Sequence, residues 1–347
     1  MTQITNNDEE MKIMKLFVRL LAGVATAIVL CGPPTSYGAD FSNSKVVVIV
    51  KATTSEFWQT AFMGARAASK ELGVPIEELG PTAETQVAEE VALVENSITK
   101  KPAAIVVAPT NFEALAAPIE KATAAGIPVI VIDSGVKTEK YASYLTTNNI
   151  EGGKKAAIAL AECIKQRTGK AAGKVAYLTA IAGNESQISR DKGFVDEIKK
   201  SYPDLQIVDN RIGNNDIAKG LSNTLDILSR FPDLVGIFAD NAQMGVGAGA
   251  ALDERNLGSK VALVAYDADE AEIKLLKKDV IYAVIIQDPY MMGYGGVWYG
   301  LAASKGARTP RLVDTGVGVI TKANMDEPSY KGLLQPKERK LTAFLGD

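Results

Sequence analysis

Polar side chains that can hydrogen bond hydroxyl groups follow several short apolar runs, and an aromatic pair stands close after the first run. These residues are Asp133, Asn241, Asp267 and Gln287, with Phe57 and Trp58 as the aromatic pair. Carboxylates are strong acceptors and amides both donate and accept, so the set suits ligands whose hydroxyls do both. Aromatic rings pack against the apolar C–H face of a sugar ring. The residue types therefore predict a binding site for a polyhydroxylated small molecule.

The composition excludes several common kinds of catalytic and metal site. The 347-residue chain contains no histidine, which removes Ser-His-Asp and Cys-His catalysis and the usual zinc sites. Cys163 lies in an apolar helical run and is expected to fill the core rather than to act as a nucleophile. The formal net charge of −3 gives no reason to expect a nucleic-acid partner. Neither a cofactor nor a metal ion is expected.

Residues 1–39 are predicted to be a secretory signal peptide. Three basic residues, Lys12, Lys15 and Arg19, precede an uncharged apolar run over residues 20–30, and small or helix-breaking residues follow. The apolar run is too short to span a bilayer comfortably. We therefore expect an exported mature protein that begins near residue 40.

Two details of this peptide stay open. Residues 8–10 are acidic and fit a signal poorly, so translation from Met11 or Met14 would suit it better. Lipid anchoring at Cys31 is an alternative to cleavage. We disfavour it because Leu30 stands where such signals carry a small residue.

From residue 45 onward, short β-branched runs alternate with longer stretches of helical periodicity. The strands are nearly continuous apolar runs, as in parallel sheets covered by helices on both faces. A polar, glycine-containing stretch over residues 146–153 divides the series into two similar halves. The sequence thus predicts an α/β protein of two doubly wound parallel-sheet lobes, with a ligand cleft at the carboxyl ends of the strands. The predicted strands cover residues 46–50, 104–107, 129–132, 175–178, 206–208, 235–238, 261–265 and 282–286.

Structural roles compete with binding at several of these positions. Asp240 and Asp288 could cap helices instead of contacting a ligand. Phe57 and Trp58 could be the first apolar turn of a helix that ends near Leu72, and Arg190 could be an exposed surface residue. The glycines of residues 245–250 match a loose dinucleotide fingerprint, but they are expected within a helix rather than in a turn directly after a strand.

Seven markers along the chain, taken in order, resemble one known family. This set is similar to the periplasmic sugar-binding proteins of the ribose-binding type, the substrate-binding subunits of ABC importers. The resemblance covers essentially the whole mature chain and implies the type I periplasmic binding fold. The markers are the first strand leading into Phe57 and Trp58, residues 126–133, 148–153, 190–194, 238–241 and 266–267, and Gln287.

The resemblance also implies how the chain divides. Three crossovers near Thr147, Gln287 and residues 316–319 would join the lobes. One lobe would comprise residues 40–147 plus 288–316. The other would comprise residues 148–287 plus 317–347.

The same resemblance assigns sugar-contact roles to nine residues of this chain. Three departures from the ribose-type pattern argue against ribose as the specific ligand: Ala108 replaces an asparagine, Ser134 replaces an arginine, and Asn215 stands at an often aromatic position. Another monosaccharide or a small polyol is as consistent with the sequence. The nine residues are Ser55, Phe57, Trp58, Asp133, Thr147, Arg190, Asn241, Asp267 and Gln287.

The function that follows is a non-enzymatic, monomeric periplasmic receptor. It would capture its sugar by closure of the lobes and deliver it to an ABC permease in the inner membrane. One alternative is a signalling or chemotaxis receptor for another small ligand, which would engage a chemoreceptor. A second is an exported enzyme that uses Asp133 and Asp267 as an acid/base pair.

Overall fold

Two six-stranded sheets organise residues 44–336, the part of the chain that the computed structural model describes. The first sheet has the order β2-β1-β3-β4-β5-β11, and all its strands are parallel. Its strands are β1 (Val46–Ile49), β2 (Ile76–Leu79), β3 (Ala104–Val107), β4 (Val129–Ile132), β5 (Ser143–Thr146) and β11 (Leu312–Asp314).

The second sheet repeats this arrangement with the order β7-β6-β8-β9-β10-β12. Only its last strand, β12, runs antiparallel to its neighbour. Its strands are β6 (Gly173–Thr179), β7 (Leu205–Ile212), β8 (Leu234–Ala239), β9 (Ala262–Tyr266), β10 (Ala283–Ile286) and β12 (Gly318–Thr321).

Helices cover both faces of each sheet, because the strands are apolar on both sides. In β1, Val46 and Val48 face one core cluster while Val47 and Ile49 face another. This is the burial expected for parallel strands and explains why the strands are continuous apolar runs. The helices described are α1 (Glu56–Leu72), α2 (Val87–Thr99), α3 (Ala116–Ala124), α4 (Asn149–Thr168), α5 (Glu185–Ser201), α6 (Ile217–Arg230), α7 (Ala242–Glu254), α8 (Glu270–Lys277), α9 (Pro289–Ser304) and α10 (Pro328–Leu334).

The chain passes between the lobes three times. It crosses after β5, after β10, and between β11 and β12. The predicted fold class, two doubly wound lobes joined by three crossovers, is therefore confirmed. Residues 318 and 319, which we expected in the third crossover, belong to β12.

The sequence located the buried strands more accurately than the peripheral ones. The strand predicted at 104–107 and the one predicted at 129–132 match β3 and β4 at both ends. Four strands, β2, β5, β11 and β12, were not predicted. They are short and, apart from β5, mostly partly exposed, so they lack the continuous apolar run that identified the others.

The expected break at 146–153 is wrong in its second half, because α4 begins at Asn149. The glycines there are helical and permit close packing. A Cβ on Gly153 would lie 1.9 Å from the carbonyl oxygen of Arg190 on α5. A Cβ on Gly152 would lie 2.0 Å from the Tyr266 hydroxyl. These glycines serve helix packing rather than chain reversal.

Other sequence predictions concern single segments. Cys163 is free and buried, as expected of a core residue. The glycines of residues 245–250 lie within α7, as predicted. The predicted signal peptide, Cys31 and the tail at 337–347 lie outside the described residues. Within residues 44–336, no helix is long and apolar enough to cross a membrane.

Candidate functional site

A small cavity lies between the lobes at the carboxyl ends of their strands. It encloses about 30 Å³, which is room for one or two water molecules. Eight of the nine predicted ligand-contact residues line it, and they come from both lobes. Its walls are formed by Lys51, Ser55, Phe57, Trp58, Glu84, Asp133, Ser186, Gln187, Arg190, Asn241, Gln243, Asp267 and Gln287.

Thr147 is the predicted contact residue that does not line this cavity. It is buried at the first crossover, where its hydroxyl donates to the Gly316 carbonyl oxygen across 3.4 Å. The bond joins the first crossover to the third. A ligand contact by Thr147 stays a prediction.

The aromatic wall belongs to the first turn of α1, just after its N-cap residue Ser55. Phe57 and Trp58 meet edge to face, with ring centroids 4.8 Å apart. The Trp58 indole Nε1 donates to Glu84 Oε1 across 2.7 Å. Trp58 is buried in the first lobe's core, which confirms the packing interpretation, and it also borders the cavity, where sugar contact stays a prediction.

A buried ion pair between Lys51 and Asp133 forms part of the first lobe's wall of the cavity. Lys51 Nζ lies 2.6 Å from Asp133 Oδ2 and 2.5 Å from Ser134 Oγ. Burial opposes ionisation of Asp133, but the charges of Lys51 and Arg190 outweigh that effect and hold its pKa below the ordinary value. Asp133 therefore presents an ionised carboxylate to the cavity.

Arg190 provides the cationic part of the second lobe's wall, and it is buried rather than exposed. Its Nε donates to Asn149 Oδ1 and its Nη1 to the Asp240 carbonyl oxygen, both across 2.9 Å. The guanidinium also stacks 3.9 Å from the centroid of the Tyr266 ring. Burial lowers the Arg190 pKa, yet Tyr266, Asp267 and the other nearby carboxyl groups together raise it by more, so the side chain stays charged.

Asp267 and two amides complete the second wall. Gln287 Nε2 donates to Asp267 Oδ1 across 2.6 Å, and the Ala242 backbone N–H donates to Oδ2 across 3.2 Å. Burial raises the Asp267 pKa, and the charge of Arg190 partly offsets the rise. Asn241 caps α7 through its Oδ1, and its Nδ2 donates to Asn215 and Gln243.

The helix-capping alternative is confirmed for Asp288 and wrong for Asp240. Asp288 Oδ1 accepts from the Met291 backbone N–H at the start of α9. Asp240 Oδ1 instead accepts from the Ala180 backbone N–H beyond β6. Burial and the neighbouring Asp191 raise the Asp240 pKa well above the ordinary value.

The lobes meet beside the cavity through hydrogen bonds between the start of α5 and two loops of the first lobe, which follow β3 and β4. Ser134 Oγ donates to Ser186 Oγ across 2.8 Å, and the Gly135 N–H donates to Glu185 Oε2 across 3.0 Å. Asn184 Nδ2 donates to the Thr110 carbonyl oxygen across 3.0 Å. The structure is thus a closed conformation.

Five wall residues were missed by sequence analysis. Lys51 stands two residues beyond β1, the kind of position we inspected, but an isolated lysine is ordinarily solvent-exposed. Glu84 follows β2, a strand that was not predicted. The others, Ser186, Gln187 and Gln243, lie in helix first turns and gave no signal of their own. Within the described residues, no group of carboxylates and cysteines is arranged to hold a metal ion.

Comparison with known proteins identifies the family. A model of the periplasmic binding protein domain matches residues 46–308. The ribose import binding protein of Haemophilus influenzae is 28% identical over 296 residues, covering 85% of this chain and 97% of the relative.

Solved structures agree with that assignment. A carbohydrate transporter solute-binding protein from Agrobacterium radiobacter, in complex with D-arabinose, is 41% identical with a TM-score of 0.83, covering 84% of this chain and 98% of that one. An ABC transporter solute-binding protein from Agrobacterium vitis with bound D-fucose is 34% identical with a TM-score of 0.80, covering 84% and 100% of the two chains. Membership of a periplasmic family implies a periplasmic location. The chain belongs to the periplasmic binding protein family, and it is a sugar-binding receptor of an ABC importer rather than an enzyme.

Proposed function

We propose that the chain binds a monosaccharide or small polyol in the cavity between its lobes. The observation that carries this proposal is the convergence of acceptors, donors and an aromatic face on one buried space. The relatives named above carry ribose, D-arabinose or D-fucose in their names or complexes. All are small neutral sugars that such a wall would suit.

Each wall residue has a role in this proposal. Phe57 and Trp58 pack against the apolar face of the ring. Asp133 and Asp267 accept from hydroxyls, and Arg190 donates to a ring or hydroxyl oxygen. Ser55, Asn241 and Gln287 contribute neutral donors and acceptors, and Thr147 acts where the ligand approaches the crossovers.

Uptake in this proposal requires the lobes to separate. The cavity of about 30 Å³ has far less room than a sugar ring needs. We propose lobes of residues 40–147 plus 288–316 and of 148–287 plus 317–347, which rotate about the three crossovers. A ligand that binds both walls would hold the lobes together around it, with more room between the walls than this structure has.

The partners follow from the closed state. We propose that the protein is a monomer and that the surface formed when its lobes close binds the permease. The same surface could also bind a chemoreceptor, as a second membrane partner. Export would use residues 1–39, cleaved near residue 40 rather than lipidated at Cys31. Size-exclusion chromatography with light scattering would measure the molar mass and so test whether the protein is a monomer. Mass spectrometry of the exported protein would test the cleavage site.

A thermal-shift screen of the protein from Asp40 tests the ligand class. The panel contains D-arabinose, D-fucose, D-tagatose, D-ribose and D-allose, with galactitol and inositol as polyols. A ligand at about one hundred times its dissociation constant adds about 2.7 kcal/mol to the free energy of unfolding. We expect one or two stereoisomers to raise the melting temperature. A flat response, confirmed by calorimetry, would contradict the proposal.

A further inference from the structure

Glu84 is a wall residue whose hydrogen bonds are incomplete. It is 7% exposed, it lies in the segment between β2 and α2, and it lines the cavity. Its Oε1 accepts from the Trp58 indole. Its Oε2 makes no hydrogen bond to the described residues. This oxygen is not fully buried, because it is absent from the buried side-chain atoms that lack a partner. One carboxylate oxygen is thus engaged, and the other is the unengaged oxygen of a residue that lines the cavity.

We propose that Glu84 is a ligand-contacting residue, which orients Trp58 with one oxygen and accepts a ligand hydroxyl with the other. The inference rests on the proposed function, because it supposes that a hydroxylated ligand enters this cavity. It adds a contact that neither the sequence pattern nor the nine predicted residues contain.

The surroundings of Glu84 favour such a contact. Burial raises its pKa, and the charge of Lys51 opposes the rise. Because Oε2 has no hydrogen-bond partner among the described residues, a ligand hydroxyl that reaches it displaces no contact within the protein. A carboxylate acceptor makes a stronger bond than a neutral one.

The bond to Trp58 gives the contact its direction. The indole is fixed by Glu84 on its N–H side, and Lys51 Nζ lies 5.5 Å from the ring centroid. A sugar that stacks on this ring places its equatorial hydroxyls at the ring's edge, where Glu84 stands. Glu84 would therefore select among stereoisomers by where they carry that hydroxyl.

Three variants separate ligand contact from support of Trp58. Glu84→Gln keeps an oxygen that can accept from the indole but replaces the charged acceptor. Trp58→Phe keeps an aromatic ring and removes the indole donor. Glu84→Ala removes both functions. Glu89→Gln makes the same chemical change at an exposed position of α2 and serves as the matched control.

The measurement is calorimetric titration of each variant with the panel sugar that binds the wild type most tightly, beginning with D-arabinose. We expect Glu84→Gln to weaken binding by about 10- to 100-fold, as for loss of a hydrogen bond to a charged group. Glu89→Gln should stay within twofold of the wild type. Glu84→Ala should lose more affinity than Trp58→Phe, and the double variant Trp58→Phe/Glu84→Gln should lose more affinity than Trp58→Phe alone.

The indole N–H resonance of Trp58, read in a Trp298→Phe background, reports whether Glu84→Gln preserves the Trp58 bond. Thermal unfolding without sugar reports whether each variant folds. Binding of Glu84→Gln within twofold of the wild type would overturn the inference while the receptor function stands. So would a double variant no weaker than Trp58→Phe. A wild type that binds no sugar of the panel would overturn both.

Discussion

Asp133 and Asp267 occupy the same position in the two lobes. Each follows the fourth strand of its sheet in chain order, β4 in the first and β9 in the second, and each faces the cavity. Both have left-handed backbone dihedrals, with φ of 64° and 84°. The Asp133 N–H donates to the Leu145 carbonyl oxygen, and the Asp267 N–H makes the matching bond to Ile285. The repeated lobe places one carboxylate on each wall.

Their partners differ, and so does their chemistry. Asp133 pairs with the cation Lys51, whereas Asp267 accepts from the neutral amide of Gln287 and a backbone N–H. The pKa of Asp133 is held below the ordinary value, and the pKa of Asp267 is raised above it. Similar backbone geometry thus places a carboxylate on each wall, and the neighbouring side chains set the direction in which its pKa shifts.

The first way to test this comparison is Asp133→Ala, the change with the largest expected effect on stability. It leaves the ammonium of Lys51 buried without its counterion. We expect the free energy of unfolding to fall by about 3–5 kcal/mol in urea denaturation. The double variant with Lys51→Met should recover most of the loss. If Asp133→Ala is as stable as the wild type, the ion pair between Lys51 and Asp133 does not contribute to stability.

Asp267→Ala should affect binding more than stability. It removes a cavity acceptor and leaves the Gln287 amide and the Ala242 N–H without their partner. We expect sugar binding to fall at least 100-fold in calorimetry, while the free energy of unfolding falls by about 1–3 kcal/mol. Unchanged affinity would contradict the assignment of Asp267 to the site.

The pH dependence of stability should have opposite signs for the two positions. Asp133, whose pKa is lowered, stabilises the fold above its ordinary pKa of 3.8, and that contribution is lost as pH falls below this value. Asp267, whose pKa is raised, loses its contribution as pH rises from 3.8 through its higher folded-state pKa.

The asparagine variants make this difference measurable. Relative to the wild type, Asp133→Asn should become more destabilising as pH rises through the region below 3.8. Asp267→Asn should become less destabilising as pH rises above 3.8. Urea denaturation at several pH values measures both, with the exposed Asp326→Asn as control. If the destabilisation caused by the two asparagine variants changes with pH in the same direction, the comparison is contradicted.

The smallest expected effect concerns a contact between the lobes at the cavity's edge. Glu56 Oε2, in the first lobe, accepts from the Glu270 N–H at the start of α8 in the second. Glu56→Gln keeps an oxygen but loses the charge. Because this contact stabilises only the closed state, we expect a two- to fivefold loss of affinity with unchanged unfolding. Calorimetry with Glu113→Gln as an exposed control would detect it.

The sequence predicted those features of the fold that are marked by residues close together in the chain. The strands β3 and β4 were predicted to the residue because buried parallel strands are unbroken β-branched runs. The strand β2, with two glutamates in its four residues, gives no such run at the sheet edge. Its absence from the prediction also hid Glu84, since no strand end pointed to it.

The cavity residues were likewise predicted only where residues close together in the chain marked them. Asp133 and Asp267 were found because they follow strands that were visible in the sequence. Lys51 follows such a strand too, but its burial depends on Asp133, 82 residues away. The helical start of α4 at Asn149 was missed because its glycines signal a loop locally and close helix packing only in three dimensions.

The crossovers have a consequence for the order in which the protein can fold. The first lobe's core is completed by α9, whose Tyr294, Val297 and Leu301 pack with Trp58 and Phe62 from the other end of the chain. A nascent chain that ends before α9 therefore lacks one side of that core, although it already contains five of the six strands. The second lobe can assemble from nearly contiguous sequence. The lobe that is made first should therefore be the one that folds last.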